Sequence, residues 1–350
     1  MTSVSGADAE GARRSSSDAA GVVVLAACAG WAVITAAAHD GRPEGVLLAV
    51  LAVTAGHAAG RMAGAVLPVA AASAGAVAGI GLAVAVPHLT PGAHPGAPLG
   101  HSGAVAALLT LATGAACCAA WSTTAPGARW ALGLLGTGAV VTAGVLGSAI
   151  GVIACAAVLL CSLAAGRMRR RGAGLAGLAL AAAATTGAVW AVAARRLPDG
   201  LTVALEGQLT AHRVELWHDA LDIAGRDAGL GAGPGRFGEL SPTVARLTLS
   251  DGKPHSAPLQ QLAEQGVVGV LLLGAAFCWM LVALWRTARP TPVALTAGAA
   301  LTALAGIAAV GNALSFTTVS AGAGLLLGLA TARPLTRESP APARNGRPAP

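Results

Sequence analysis

Apolar residues fill most of this chain in blocks of about twenty, separated by short polar joints. The hydrocarbon core of a bilayer takes roughly 20 helical residues to cross, so each such block predicts a transmembrane helix. Ten blocks lie near 19–38, 44–60, 63–87, 102–121, 129–147, 149–166, 172–194, 263–286, 293–312 and 315–332. The second and the sixth are short, and the joint between the fifth and the sixth is weakly marked. The chain thus divides into a disordered N-terminus (1–18), seven spans (19–194), a polar insert (195–262), three more spans (263–332) and a disordered, Pro-rich tail (333–350). The predicted fold is an all-α integral membrane protein of about ten transmembrane helices, with one long extracytoplasmic loop between helices seven and eight.

Composition supports that division. Of the 350 residues, 55% are hydrophobic and 11% charged, with a mean hydropathy of +0.69. Soluble domains are about a quarter charged. Ala and Gly supply much of the apolar content, which lets helices approach closely, although a GC-rich genome gives the same bias. The six cysteines (Cys28, Cys117, Cys118, Cys155, Cys161 and Cys278) all fall inside apolar runs. They read as small buried hydrophobes without metal-ligand or redox spacing.

The formal charge of +7 does not point to nucleic acid, because its distribution follows the spans. Arg13, Arg14, Arg61, Arg129, the cluster RMRRR (167–171), Arg286, Arg289 and the four tail arginines fall on one side, which is expected to be cytoplasmic. Short loops on the other side, such as HLTPGAHPGAPLGHS (88–102), carry no Lys or Arg. The insert holds seven basic residues, but segments longer than about 60 residues largely escape the positive-inside bias. Trp121, Trp130, Trp190 and Trp285 fall near span ends, as an interfacial belt would. Both termini are therefore expected in the cytoplasm of a multi-pass protein of the cytoplasmic (inner) membrane. The first apolar run is long for a cleaved signal peptide and reads as a retained span.

The insert holds more than half of the fifteen acidic residues. Its segment LTAHRVELWHDALDIAG (209–225) has helical periodicity. Val214, Trp217, Leu221 and Ala224 form an apolar stripe, with His212, Glu215, His218, Asp219 and Asp222 opposite. Arg213 lies at the edge of that stripe and has no carboxylate at three or four positions either way. It is placed to bind an external anion bidentately, or to stack on Trp217. GLGAGPGRFGEL (229–240) is not a dinucleotide fingerprint, since no apolar strand precedes it. It reads as a loop whose backbone amides, beside Arg236, are able to approach a phosphate.

In KPHSAPLQQLAEQG (253–266), Ser256 reads as a helix N-cap with Pro258 in the first turn. His255 then sits at the positive end of a helix that runs into the eighth span. Together with Lys253, that placement favours the uncharged ring that a proton acceptor requires. A solvated loop histidine is the plainer reading of the same residue.

Taken in order, these segments resemble the O-antigen ligase / Wzy-type polymerase family of envelope glycosyltransferases. The resemblance rests on Arg213 and Trp217, then Gly231, Gly233, Gly235 and Phe237, then His255 with Leu259, Leu262, Glu264 and Gly266. It covers about 140–330 best. It implies transfer of a glycan from an undecaprenyl-diphosphate carrier to a glycan or lipid acceptor hydroxyl, without metal or cofactor and with inversion. His255 would be the base and Arg213 the diphosphate ligand, with Arg195, Arg196, Arg236 and Lys253 as further cations. Trp217, the turn glycines, Phe237, Glu264 and Gly266 would shape the loop.

Two residues depart from the family pattern. Ser256 stands where Asn is usual. GSAIG (147–151) puts Ala149 where the family commonly has the Arg of a Ser-Arg-Gly, a gap that Arg195 or Arg196 would have to fill. Two other readings stay open. A transporter is disfavoured because the spans hold almost no ionisable residue beyond His57 and Arg61. A non-catalytic relative that binds lipid-linked glycan, or scaffolds an assembly complex, is consistent with Ala149.

Overall fold

A computed structural model describes residues 4–89, 98–196, 211–246, 251–333 and 335. Helices α1 (Val4–His39), α2 (Glu44–Val66), α3 (Pro68–Leu89), α4 (Pro98–Ser122), α5 (Pro126–Val145), α6 (Ala149–Ala165) and α7 (Arg171–Ala193) precede the polar insert. Within it lie α8 (Ala211–Arg226) and two single turns, α9 (Phe237–Leu240) and α10 (Pro242–Ala245). After it come α11 (Ala257–Arg286), α12 (Thr291–Val310) and α13 (Thr317–Thr331). Among the described residues there is no strand.

Eight of these helices are long and apolar enough to cross a membrane, while α6, with 17 residues, and α13, with 15, are shorter apolar helices. At 1.5 Å per residue the short pair reach only about 25 and 22 Å, less than a hydrocarbon core of about 30 Å. The ten expected spans are therefore eight of full length and two short ones packed among them.

Prolines mark the joints. Pro lacks a backbone N–H, so it is tolerated in a first turn and stops the helix before it. Pro68 opens α3, which extends the second span to Val66 and starts the third at 68. The sequence pattern alone places that joint at 60–63. Helical backbone begins at Val4, so most of the N-terminal stretch expected to be disordered belongs to α1. The tail beyond residue 335 lies outside the described residues.

The packing is small-in, large-out. Every residue of α4 from 104 to 119 is buried, as is 293–302 of α12, and Ala dominates both. Leu51, Leu134, Val141, Ile153, Leu180 and Leu271 face outward. That arrangement suits lipid, where packing of small residues, and not exclusion from water, holds helices together. The α2–α13 contact explains glycine by geometry. A methyl group at Gly60 would run into the Leu325 carbonyl, and one at Gly324 into the Val53 carbonyl. All six cysteines are free; Cys117, Cys118 and Cys155 are buried, but Cys161 and Cys278 lie on outward faces.

At the end of the bundle away from the insert, arginines close helix C-termini, whose last carbonyls have no partner within the helix. Arg171 donates to the Thr287 carbonyl at 2.6 Å and to the Arg289 carbonyl. Arg289 donates through Nη2 to the carbonyls of Gly64 (3.1 Å) and Leu329 (3.4 Å), in the last turns of α2 and α13. Arg61 pairs with Asp18 at 2.6 Å.

Candidate active site at the entrance of helix eleven

The amphipathic helix of the insert forms as its periodicity predicts, but its buried stripe is rotated. Leu216, Trp217, Ala220, Ile223 and Ala224 are buried, whereas Val214 and Leu221 are only partly so. The stripe packs on Val189, Val192 and Ala193 at the end of α7, on Leu259 and Ala263 of α11, and on Ala309 of α12. This rotation brings Arg213 into line with 216, 217 and 220, on the face that turns inward. The sequence pattern alone places it at the edge.

Arg213 is consequently half-buried, and its Nε is buried without a hydrogen-bond partner. Burial lowers its pKa from the ordinary value. Among the described residues, the recorded cation–π contact is Arg129 over Trp121, and none joins Arg213 to Trp217. Trp217 is fully buried, and its indole N–H also lacks a partner.

The polar face of α8 is tied down by Asp219. Its Oδ2 accepts from the Thr243 N–H at 2.9 Å and from the Ser241 hydroxyl, which fixes α10 against α8. Burial pushes the Asp219 carboxyl up, but those two donors outweigh it and hold the pKa below the ordinary value. Arg195, in a left-handed backbone conformation (φ 52°), reaches His218 with Nε to Nε2 at 3.4 Å. Burial first, and then Arg195, lower the His218 pKa. Arg196 is exposed.

The glycine-rich turn has a use the sequence did not reveal. Helix α11 is broken at Gly266, whose φ of 67° and ψ of −166° interrupt the hydrogen-bond ladder. The turn repairs the break. Ala232 N–H donates to the Ala263 carbonyl at 2.8 Å and Gly233 N–H to the Glu264 carbonyl at 2.9 Å. The Trp31 indole donates to the Gln265 carbonyl at 2.9 Å, and Val267 N–H donates back to the Ala228 carbonyl at 2.9 Å. The buried Glu264 carboxyl accepts from Gln260 Nε2 at 3.4 Å.

The amides of Ala232 and Gly233 therefore point into the protein, which favours the plain-loop reading over a phosphate cradle for them. Gly231 is required at its own position, since a Cβ there would strike the backbone of 264–266. Arg236 is likewise engaged, donating through Nη1 to the His39 carbonyl at 2.7 Å with Nε 3.5 Å from Glu239.

Helix α11 begins at Ala257 with Pro258 in its first turn, as expected, but Ser256 does not cap it. The Ser256 hydroxyl is buried without a partner. His255 adopts φ 52°, and its side chain is only 13% exposed. Its Nε2 lies 3.2 Å from Oδ1 of Asp251, and Oδ2 of Asp251 accepts from Asn312 Nδ2 at 3.1 Å.

Sequence reasoning missed both partners. An Asp four residues before the His was visible, but it lay in what read only as a turn. Asn312 gave no signal, because it arrives from the far side of α12. The Lys253 backbone N–H donates to Asp251 at 3.3 Å, and its side chain is partly exposed.

Arg213 and His255 each precede, in sequence, residues of one apolar cluster. Arg213 lies one turn before Leu216 and Trp217, and His255 one turn before Leu259. Ala149 is the exposed first residue of α6, and Ser148 caps that helix by accepting from Gly151 N–H at 3.2 Å. Residues 131–274 match the family model described as O-antigen ligase. Over this segment the chain is similar to the O-antigen ligase family. The O-antigen ligase segment runs from α5 into α11 and contains Ala149, α8, the glycine turn and the Asp251–His255 pair. No curated protein matches the chain.

Proposed function

We propose that this O-antigen ligase-like protein transfers a glycan from an undecaprenyl-diphosphate carrier to an acceptor hydroxyl at the outer face of the cytoplasmic membrane. The observation that carries the reading is Arg213. It is a desolvated guanidinium with a buried, unpartnered donor, on the face of α8 that packs on α11 just past His255. Such a group gains most from a diphosphate, whose oxygens accept its forked donors.

In the reaction, the His255 ring takes the proton of the acceptor hydroxyl. The acceptor oxygen then bonds to the anomeric carbon from the face opposite the carrier, and the sugar–phosphate bond breaks. Its electron pair leaves on the lipid diphosphate, whose growing charge Arg213 stabilises, with Arg195, Arg196 and Lys253 as further sources of positive potential. Cationic side chains fill the part a metal plays elsewhere, and attack from the opposite face inverts the sugar carbon.

The orientation follows from charge. Arg61, Arg129, Arg167, Arg169, Arg170, Arg171, Arg286 and Arg289 cluster at the end opposite the insert, where the N-terminal half of α1 carries Asp8, Glu10 and Asp18. That end is the cytoplasmic one under the positive-inside bias.

Ala149 favours a second reading, a non-catalytic relative that binds the same lipid-linked glycan. Membranes supplied with lipid-linked donor and acceptor separate the two. His255→Ala lowers transfer by about 10²- to 10⁴-fold if His255 is the base. Transfer within about threefold of the parent protein removes His255 from that role. A non-catalytic relative would still be rescued in the cell by the His255→Ala chain.

A further inference from the structure

We infer that Asp251 is the positioning residue of His255, and that Asn312 holds Asp251 in place from the membrane bundle. This rests on the reading of His255 as the base and adds the device that makes it one.

An imidazole accepts a proton only at a bare ring nitrogen, so the tautomer matters as much as the position. The Asp251 carboxylate, 3.2 Å from Nε2, requires a hydrogen on that nitrogen, since otherwise two lone pairs would face each other. Nδ1 is then the nitrogen left to accept. Burial pushes the Asp251 carboxyl up, but the His255 hydrogen bond, and then Lys253, outweigh it and hold the pKa below the ordinary value. The carboxylate is therefore ionised at neutral pH.

Its second oxygen is held as well. Asn312 Nδ2 donates to Oδ2 at 3.1 Å from the short segment between α12 and α13. The dyad is thus anchored to the bundle and does not float with the insert. The backbone agrees with a held ring. His255 has φ 52°, a left-handed conformation that a non-glycine residue keeps only where its surroundings impose it.

The plain alternative is that Asp251 only closes a local turn through the Lys253 N–H. Kinetics on full-length protein in lipid vesicles, with lipid-linked donor and acceptor, separate the two roles. Asp251→Asn keeps the turn's acceptor and the side chain's shape but loses the charge and the fixed tautomer. It should lower kcat by about 10- to 100-fold while KM stays within about twofold. Asp251→Glu should recover part of the loss. Asn312→Ala should act in the same direction, by about three- to tenfold.

In the His255→Ala background Asp251→Asn should add nothing, because a residue acting only through another is silent once that other is gone. If Asp251→Asn transfers within twofold of the parent while His255→Ala is severely impaired, the positioning role is overturned and the base reading stands. A loss that multiplies with that of His255→Ala also overturns it, in favour of the turn. If His255→Ala itself retains full transfer, the reading of His255 as base fails and this inference fails with it.

Discussion

Arg213 and Arg289 sit at opposite ends of the bundle, and their surroundings start alike. Each buries its Nε without a partner, and burial lowers the pKa of each guanidinium. From there they diverge. Arg289 gives Nη2 to two carbonyls at the ends of α2 and α13, so its charge meets the negative ends of two helices. Arg213 has no acceptor and no carboxylate among the described residues, although it lies on the inward face of α8. A desolvated cation without compensation is costly. The first arginine holds helices together; the second keeps a buried donor without a partner among the described residues.

That contrast breaks most readily by exchanging the loss. Arg213→Gln should reduce glycan transfer by about 10²- to 10³-fold, as loss of a donor to developing negative charge does, with thermal stability unchanged or raised. Arg213→Lys should be nearly as impaired, because an ammonium lacks the fork. Arg289→Gln should do the reverse, with unfolding in detergent destabilised by about 1–3 kcal/mol and transfer per folded molecule little altered. Measuring both quantities on all three variants decides it. Equal behaviour of Arg213→Gln and Arg289→Gln would erase the distinction.

A smaller effect is expected beside the site, at the break in α11. Gly266→Ala places a methyl against the Gly229 carbonyl in a backbone region that L-residues avoid. It should destabilise the protein by about 1–3 kcal/mol and loosen α11 beside the site, seen as faster proteolysis of the insert. Parent-like stability and proteolysis would mean that the stitched helix break does not hold the insert.

The helix order was legible because each apolar block is long and prolines punctuate the joints. The start of α11 was legible in the same way, from Pro258. What failed to show lay between segments. The stripe of α8 could be read as Val214, Trp217 and Leu221 or as Leu216, Ala220 and Ile223, since both sets repeat at helical spacing. Only packing on Leu259 and Ala309 chooses the second.

The amides of the glycine turn are visible in one dimension as donors that an anion could meet. Their acceptors, the carbonyls of a helix broken about thirty residues later, are not. Asp251 was within reach, but Asn312, 61 residues away from it in sequence, was not.

Direct binding tests, without requiring turnover, whether Arg213 holds the lipid diphosphate. Undecaprenyl diphosphate would be titrated into the parent protein, Arg213→Gln and Arg289→Gln, each in lipid nanodiscs of the same composition. Arg213→Gln should bind at least about tenfold more weakly, and Arg289→Gln should bind like the parent. Parent-like binding by Arg213→Gln would contradict that role.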